Sequence, residues 1–138
     1  MTEPEPTPAG TDPLAVVPAG TVLGPMTLRI SRAANERYWS SAGVEHPTLR
    51  AGALYPPIAA NLTVLLVQTV ADRPLLQTAQ RITAHRAADA DVELTVTGTV
   101  TERFEKRGRD YAVVRADIAL PGGEPLWTST ATFCGAGT

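Results

Sequence analysis

The sequence predicts one α+β domain in which a strongly twisted antiparallel sheet wraps around one long buried helix. Three observations carry this. The stretch from Ile58 to Val70 is apolar over most of a helix's faces, four extended segments follow Pro74, and glycine-bearing turns separate several of those segments. With 138 residues, 43% of them hydrophobic and 19% charged, the chain has material for one modest core and not for two.

Taken in order, residues 1–22 read as a flexible leader. Pro4, Pro6, Pro8, Pro13 and Pro18 stand among Glu, Thr, Gly and Ala, a composition with too little to bury. Residues 23–135 are expected to be the folded domain. Met26 to Ile30 alternates apolar with polar and predicts a short first strand, and Ser31 is placed to cap a helix reaching about Ser41. Gly43, Pro47, Gly52 and Pro56 interrupt any period from Gly43 to Tyr55. A loop of that length is often functional, so chemistry is sought there.

Pro56-Pro57 suits a helix's first turn, whose amides lack intrahelical partners, and Ile58, Leu62, Val64, Leu65, Leu66, Val67 and Val70 demand enclosure. The enclosing surface is expected from strands at about Leu75–His85, Val92–Phe104, Tyr111–Leu120 and Leu126–Phe133. In the second of these, Val92, Leu94, Val96 and Val100 share one side while Glu93, Thr95, Thr97, Thr99 and Thr101 share the other. Gly108-Arg109-Asp110 and Pro121-Gly122-Gly123 supply turns, and the chain contains no internal repeat.

Composition narrows the function. A net charge of −2 offers no basic field for a nucleic-acid backbone or an anionic membrane. Cys134 is the only cysteine, so no internal disulfide or zinc cluster forms from cysteines, and a reducing cytoplasm is the expected compartment. Met1 to Thr11 has neither the basic nor the apolar region of a secretory signal, and Ile58–Val70, broken by Asn61, Thr63, Gln68 and Thr69, is too short to span a bilayer. Lys106 is the sole lysine among 12 basic residues and alanine is abundant, a bias that points to a high-GC bacterial source.

One strand, a helix, a loop, a buried helix and an antiparallel meander is the element order of the hot-dog fold. Leu54-Tyr55-Pro56-Pro57-Ile58-Ala59-Ala60-Asn61-Leu62, Arg81-Ile82-Thr83-Ala84-His85-Arg86 with Gly98 and Val100 beyond, and Phe104-Glu105-Lys106-Arg107-Gly108-Arg109 resemble the MaoC-like dehydratases, including (R)-specific enoyl hydratases. The likeness runs from about Thr27 to Phe133 and leans toward the subgroup similar to the fatty-acid-synthase dehydratase domain. It implies reversible addition of water across the C2–C3 bond of an acyl thioester, in fatty-acid or polyketide metabolism. The thioester would be carried on coenzyme A or an acyl carrier protein, with no cofactor and no metal. It also implies a pocket shared between two hot-dog copies, hence a homodimer or a heteromer.

That reaction needs a carboxylate and an imidazole acting on one water, and donors facing the thioester oxygen. The family's loop carries an aspartate, an asparagine-proline pair and then a histidine. Superposing the prolines on Gly43-Val44-Glu45-His46-Pro47-Thr48-Leu49 places those acid and base positions on Val44 and Leu49, which cannot move a proton. Where the family often has Pro-Ile-Ala-His-Gly, this chain has Pro57-Ile58-Ala59-Ala60-Asn61.

The resemblance therefore implies a substrate-holding, catalytically degenerate half of a heteromer. Tyr55, Ile58, Ala59, Ala60 and Asn61 are its candidate substrate-binding residues, and the free amides of Ile58 to Ala60 are expected to meet the thioester oxygen. Three alternatives stay open: a self-sufficient dehydratase using Glu45 and His46, a hot-dog thioesterase, and a non-enzymatic acyl-thioester binder. Against that self-sufficient reading, Glu45 and His46 read first as solvated loop residues; Tyr55 reads equally as plain packing, and His85 as a structural hydrogen-bonding residue. Cys134 has no sequence neighbour to activate it, and Glu105-Lys106-Arg107 with Arg109 is either a phosphate contact or a solvated hairpin tip.

Overall fold

The computed structural model describes residues 17–71 and 75–135. Five strands and three helices follow one another as β1 (Val22–Arg29), α1 (Arg32–Ser41), α2 (Pro47–Arg50), α3 (Ile58–Gln68), β2 (Leu75–Ala84), β3 (Glu93–Lys106), β4 (Arg109–Ala119) and β5 (Pro125–Gly135). The strands form one antiparallel sheet in the order β1-β3-β4-β5-β2, and α3 packs against all five. The expected α+β architecture is present.

Residues 1–16 of the expected leader lie outside the described residues. Its last part belongs to the fold: Val17 is buried, its carbonyl accepts from Arg103 Nη1 at 2.7 Å, and the Gly20 amide donates to Val100 O at 2.7 Å. Strand β1 begins at Val22, earlier than the alternation from Met26 indicated. Gly24, at φ +81°, and Pro25 form an irregularity between Leu23 and Met26, after which pairing with β3 resumes. A proline without an amide proton is tolerated at such an edge bulge. Ser31 caps α1 as expected, its Oγ accepting from the Ala34 amide at 3.0 Å.

The β3–β4 turn is Arg107-Gly108, both at positive φ, with Lys106 paired to Arg109. The turn expected at Gly108-Arg109-Asp110 thus sits one residue earlier, because two successive left-handed residues match the twist of a two-residue hairpin.

The alternation read in β3 holds: Leu94, Val96 and Val100 are buried, joined on the same side by Val114, Ala116 and Ile118 of β4 and Trp127, Ala131 and Phe133 of β5. Helix α3 reaches this surface through Ile58, Ala59, Leu62, Thr63, Leu66 and Val67. Leu66 fits a notch that exists because two positions lack side chains. A Cβ on Gly98 would lie 2.5 Å from Leu66 Cδ2, and one on Gly24 would lie 3.1 Å from Cδ1.

One polar line crosses this core. Gln80 Nε2 donates to Ser129 Oγ, the Ser129 and Thr63 hydroxyls bond to each other, and Thr63 Oγ1 donates to Ala59 O, each at 2.8 Å. With one proton per hydroxyl the donors run one way, from β2 through β5 into α3, so buried Thr63 and Ser129 are satisfied. Enclosure of α3 is one-sided, however, as Leu65 remains exposed, and so does Val70, which lies two residues past the end of the helix expected to include it.

Gly98→Ala is expected to lower stability by about 1–3 kcal/mol through overpacking against Leu66. Urea denaturation should show a smaller penalty for the same change in a Leu66→Ala background. Equal penalties in the two backgrounds would contradict the notch.

Candidate functional site

The segment between α1 and α3 is held from several sides. Asn35, buried in the middle of α1, donates from Nδ2 to Ala53 O at 2.8 Å and accepts the Tyr55 amide on Oδ1 at 2.9 Å. Leu54 N donates to Ala88 O and Ala90 N to Gly52 O, both at 2.8 Å, tying the segment to the chain beyond β2. Arg32 Nη2 donates to Arg50 O at 2.9 Å, with its guanidinium against Gly52, where a Cβ would come within 3.3 Å of Nη1.

The structure places a helical turn, α2, inside what the sequence indicated as an irregular loop. Pro47 opens it with a preset φ, and His46 caps it, Nδ1 accepting the Thr48 amide at 3.2 Å.

Two cavities flank this segment. One of about 530 Å³ is bounded by Val44, His46, Thr48, Leu49, Leu54, Tyr55 and Pro56 on one side and by residues 84–87 at the end of β2 on the other. Its wall is mostly carbon. The second, of about 380 Å³, is lined by Arg32, Asn35, Glu36, Trp39, Glu45, Leu49 and Arg50. Trp39 Nε1 there is buried with no hydrogen-bond partner among the described residues.

The expected acid-base neighbours go to different cavities. Glu45 lines the polar one and forms an ion pair with Arg50, whereas His46 lines the apolar one. His46 has extended backbone angles, φ −152° and ψ 140°, and extended backbone sends successive side chains to opposite sides. Val44 and Leu49, the positions aligned with the family's acid and base, both line the apolar cavity.

His85 reaches the same cavity from the end of β2. Its Nε2 lies 2.8 Å from Thr128 Oγ1, which lies 3.3 Å from Asp117 Oδ1, and Arg115 also donates to that carboxylate. The expected hydrogen-bonding role is thus visible. Tyr55 is partly buried and lines the cavity. Ile58 and Ala59 are core residues at 1% and 0% exposure, Ala60 is half-buried and Asn61 is exposed.

The expectation of free amides at the start of α3 is corrected. Ile58 N donates to Tyr55 O, Ala59 N to Pro56 O and Ala60 N to Pro57 O, at 3.0, 2.9 and 3.1 Å. Pro57 already has helical angles, so a tight turn beginning at Tyr55 uses the donors that an abrupt start would leave open.

Cys134 is buried at the end of β5. At the β3–β4 tip, Phe104 and Tyr111 stack with centroids 5.0 Å apart beneath exposed Glu105, Lys106, Arg107 and Arg109. Among the described residues, no group of three or more His, Cys, Asp or Glu side chains could hold a metal ion, and no helix is long and apolar enough to cross a membrane.

No family model matches the chain, and no curated protein matches it significantly. Solved structures do. It is similar to the C-terminally truncated HadBC (3R-hydroxyacyl-ACP dehydratase) complex from Mycobacterium tuberculosis, at 19% identity over 85% of this chain and 96% of that one, with a TM-score of 0.66. A MaoC-like dehydratase from Rhodospirillum rubrum is similar at 17% identity over 91% and 97% of the two chains, TM-score 0.66. A hypothetical thioesterase with coenzyme A from Streptococcus pneumoniae TIGR4 is similar at 16% identity over 81% and 77%, TM-score 0.57. These likenesses show the hot-dog fold.

Asn35→Ala is expected to cost roughly 2–4 kcal/mol, since the Ala53 carbonyl and Tyr55 amide both lose their partner. Thermal unfolding measures this, and a change under about 0.5 kcal/mol would show that Asn35 does not hold the segment.

Proposed function

We propose that the chain is an acyl-thioester-binding subunit of the MaoC-like hydratase and dehydratase class, the substrate-holding half of a heteromer whose partner supplies the proton-transfer residues. The observation that carries this is the carbon-lined cavity at the segment before α3, with Val44 and Leu49 in its wall and Glu45 turned away to Arg50. Such a wall accepts an acyl chain. It lacks the carboxylate that works with an imidazole in the family's chemistry, and the α3 amides are already engaged. The dehydratase neighbours support the substrate class.

A partner fits the open side of the fold. Strand β1 is an edge blunted by Gly24-Pro25, whereas β2 is a ten-residue edge with no proline, one charge at Arg81 and exposed Leu76, and Leu65 of α3 is exposed as well. An unblunted edge of this kind invites another strand. A second hot-dog chain pairing there would extend the sheet and cover α3. The thioesterase reading draws support from the neighbour with coenzyme A, but α3 carries no carboxylate for hydrolysis. The self-sufficient reading requires Glu45 to leave Arg50 and swing to the His46 side.

The test is hydration of crotonyl-CoA by the full chain, alone and with candidate hot-dog partner chains from the same organism. No turnover alone and turnover with the partner are expected. Robust turnover by the chain alone, lost on His46→Ala in a folded variant, would establish the self-sufficient enzyme instead. Analytical ultracentrifugation should show that Leu76→Asp weakens assembly while circular dichroism stays unchanged; unchanged assembly would remove β2 as the contact.

A further inference from the structure

The β3–β4 hairpin breaks two local rules at its tip. Arg107 sits at φ +53°, a left-handed angle that glycine and asparagine adopt at less cost, and the cross-strand pairs oppose like charges, Lys106 facing Arg109 and Glu105 facing Asp110. Both features work against the hairpin's own stability. Conflicts of this kind mark places where a sequence serves something besides its fold.

Alternation sorts these charges onto two faces. Ala112 is buried in the core and pairs with Arg103, so Arg103, Glu105 and Asp110 share the core side while Phe104, Lys106, Arg109 and Tyr111 share the outer one. The two acids therefore have a guanidinium on their face. The nearest acid on the outer face is Glu102, four residues back along β3 from Lys106, or roughly 13 Å away. Among the described residues, the side chains of Lys106, Arg107 and Arg109 have no hydrogen-bond or ion-pair partner. In a chain of net charge −2, its only lysine and two of its arginines thus stand together, beside half-buried Phe104 and Tyr111, whose rings stack with centroids 5.0 Å apart.

We propose that the outer face of this hairpin docks an acidic amphipathic helix of a protein partner. The partner's carboxylates meet Lys106, Arg107 and Arg109, and an apolar side chain rests on the Phe104 and Tyr111 rings. The cations are spread over two strands and a turn, which suits several carboxylates better than one phosphate. Side chains one helical turn apart are separated by about 5–6 Å, close to the spacing of about 5 Å between directly opposed strand residues such as Lys106 and Arg109. The surface is also remote from the apolar cavity: Tyr111 pairs with Cys134, seven residues along β5 from Trp127, which pairs with Ala84 at the cavity, a distance of roughly 23 Å. The inference therefore stands apart from the acyl-thioester reading.

The test is an amide NMR titration of the full chain with a helical peptide bearing glutamates one turn apart and leucines beside them. The same peptide with glutamine for glutamate, and pyrophosphate, serve as comparisons. Saturable shifts from Phe104 to Tyr111 are expected with the acidic peptide alone, weakened by added salt. Lys106→Glu sets a carboxylate opposite Arg109, so it should abolish those shifts while raising the Tm by roughly 1–4 °C. Arg109→Gln, which removes one cation without adding a pair, should weaken binding at least about threefold. No shifts with the acidic peptide, equal shifts with its glutamine counterpart, or wild-type binding by Lys106→Glu would each overturn the inference. Pyrophosphate shifts as large as the peptide's would overturn it too, in favour of a small-anion site.

Discussion

The sheet closes around α3 only where it presents no side chain beneath Leu66. At Gly98 a methyl group would overlap the leucine at 2.5 Å, far inside contact distance, and at Gly24 the backbone bulge leaves space on the other flank. Both glycines lie on the paired strands β1 and β3, so the depth at which α3 sits and the irregularity that blunts β1 come from the same few residues. Interiors pack too densely to absorb a displaced helix. Moving α3 outward would carry its first turn with it, and Tyr55 and Pro56, which precede that turn, form part of the apolar cavity's wall.

From this anchor the site is assembled by polar tethers. Asn35 joins α1 to the residues just ahead of α3, and backbone bonds join Gly52 and Leu54 to the chain leaving β2. The segment between is a short capped helix with little freedom left. Its shape determines which side chains share a space: Leu49 stands between the two cavities, His46 turns toward carbon, and Glu45 turns toward Arg50. The cavity that remains is lined mostly by carbon, and the polar groups of His46 and His85 beside it also bond to Thr48 and Thr128.

The large elements were legible because their causes are local. Pro56-Pro57 before an apolar run marks α3, Ser31 marks α1, and strict alternation marks the buried face of β3. Helix α2 was hidden because Pro47 reads as a breaker until His46 is seen capping the turn it opens. Asn35 carried a faint signal, since asparagine is a poor mid-helix residue unless its amide has partners elsewhere, but only the fold reveals that Ala53 and Tyr55 are those partners. Adjacency made Glu45 and His46 look like a pair, and the extended angles at His46 separate them. The amides of Ile58 to Ala60 read as free from the sequence because it does not show that a tight turn at Tyr55 precedes the helix.

The central claim is that the carbon-lined cavity beside α2 is where an acyl thioester binds. Amide NMR spectra of the full chain titrated with hexanoyl-CoA test it most directly. The predicted result is saturable shifts at Val44, Leu49, Tyr55 and Ala84, which enclose the cavity, with Glu36 and Arg37 on α1 unmoved. Shifts confined to α1, or no saturable shifts at all, would contradict it.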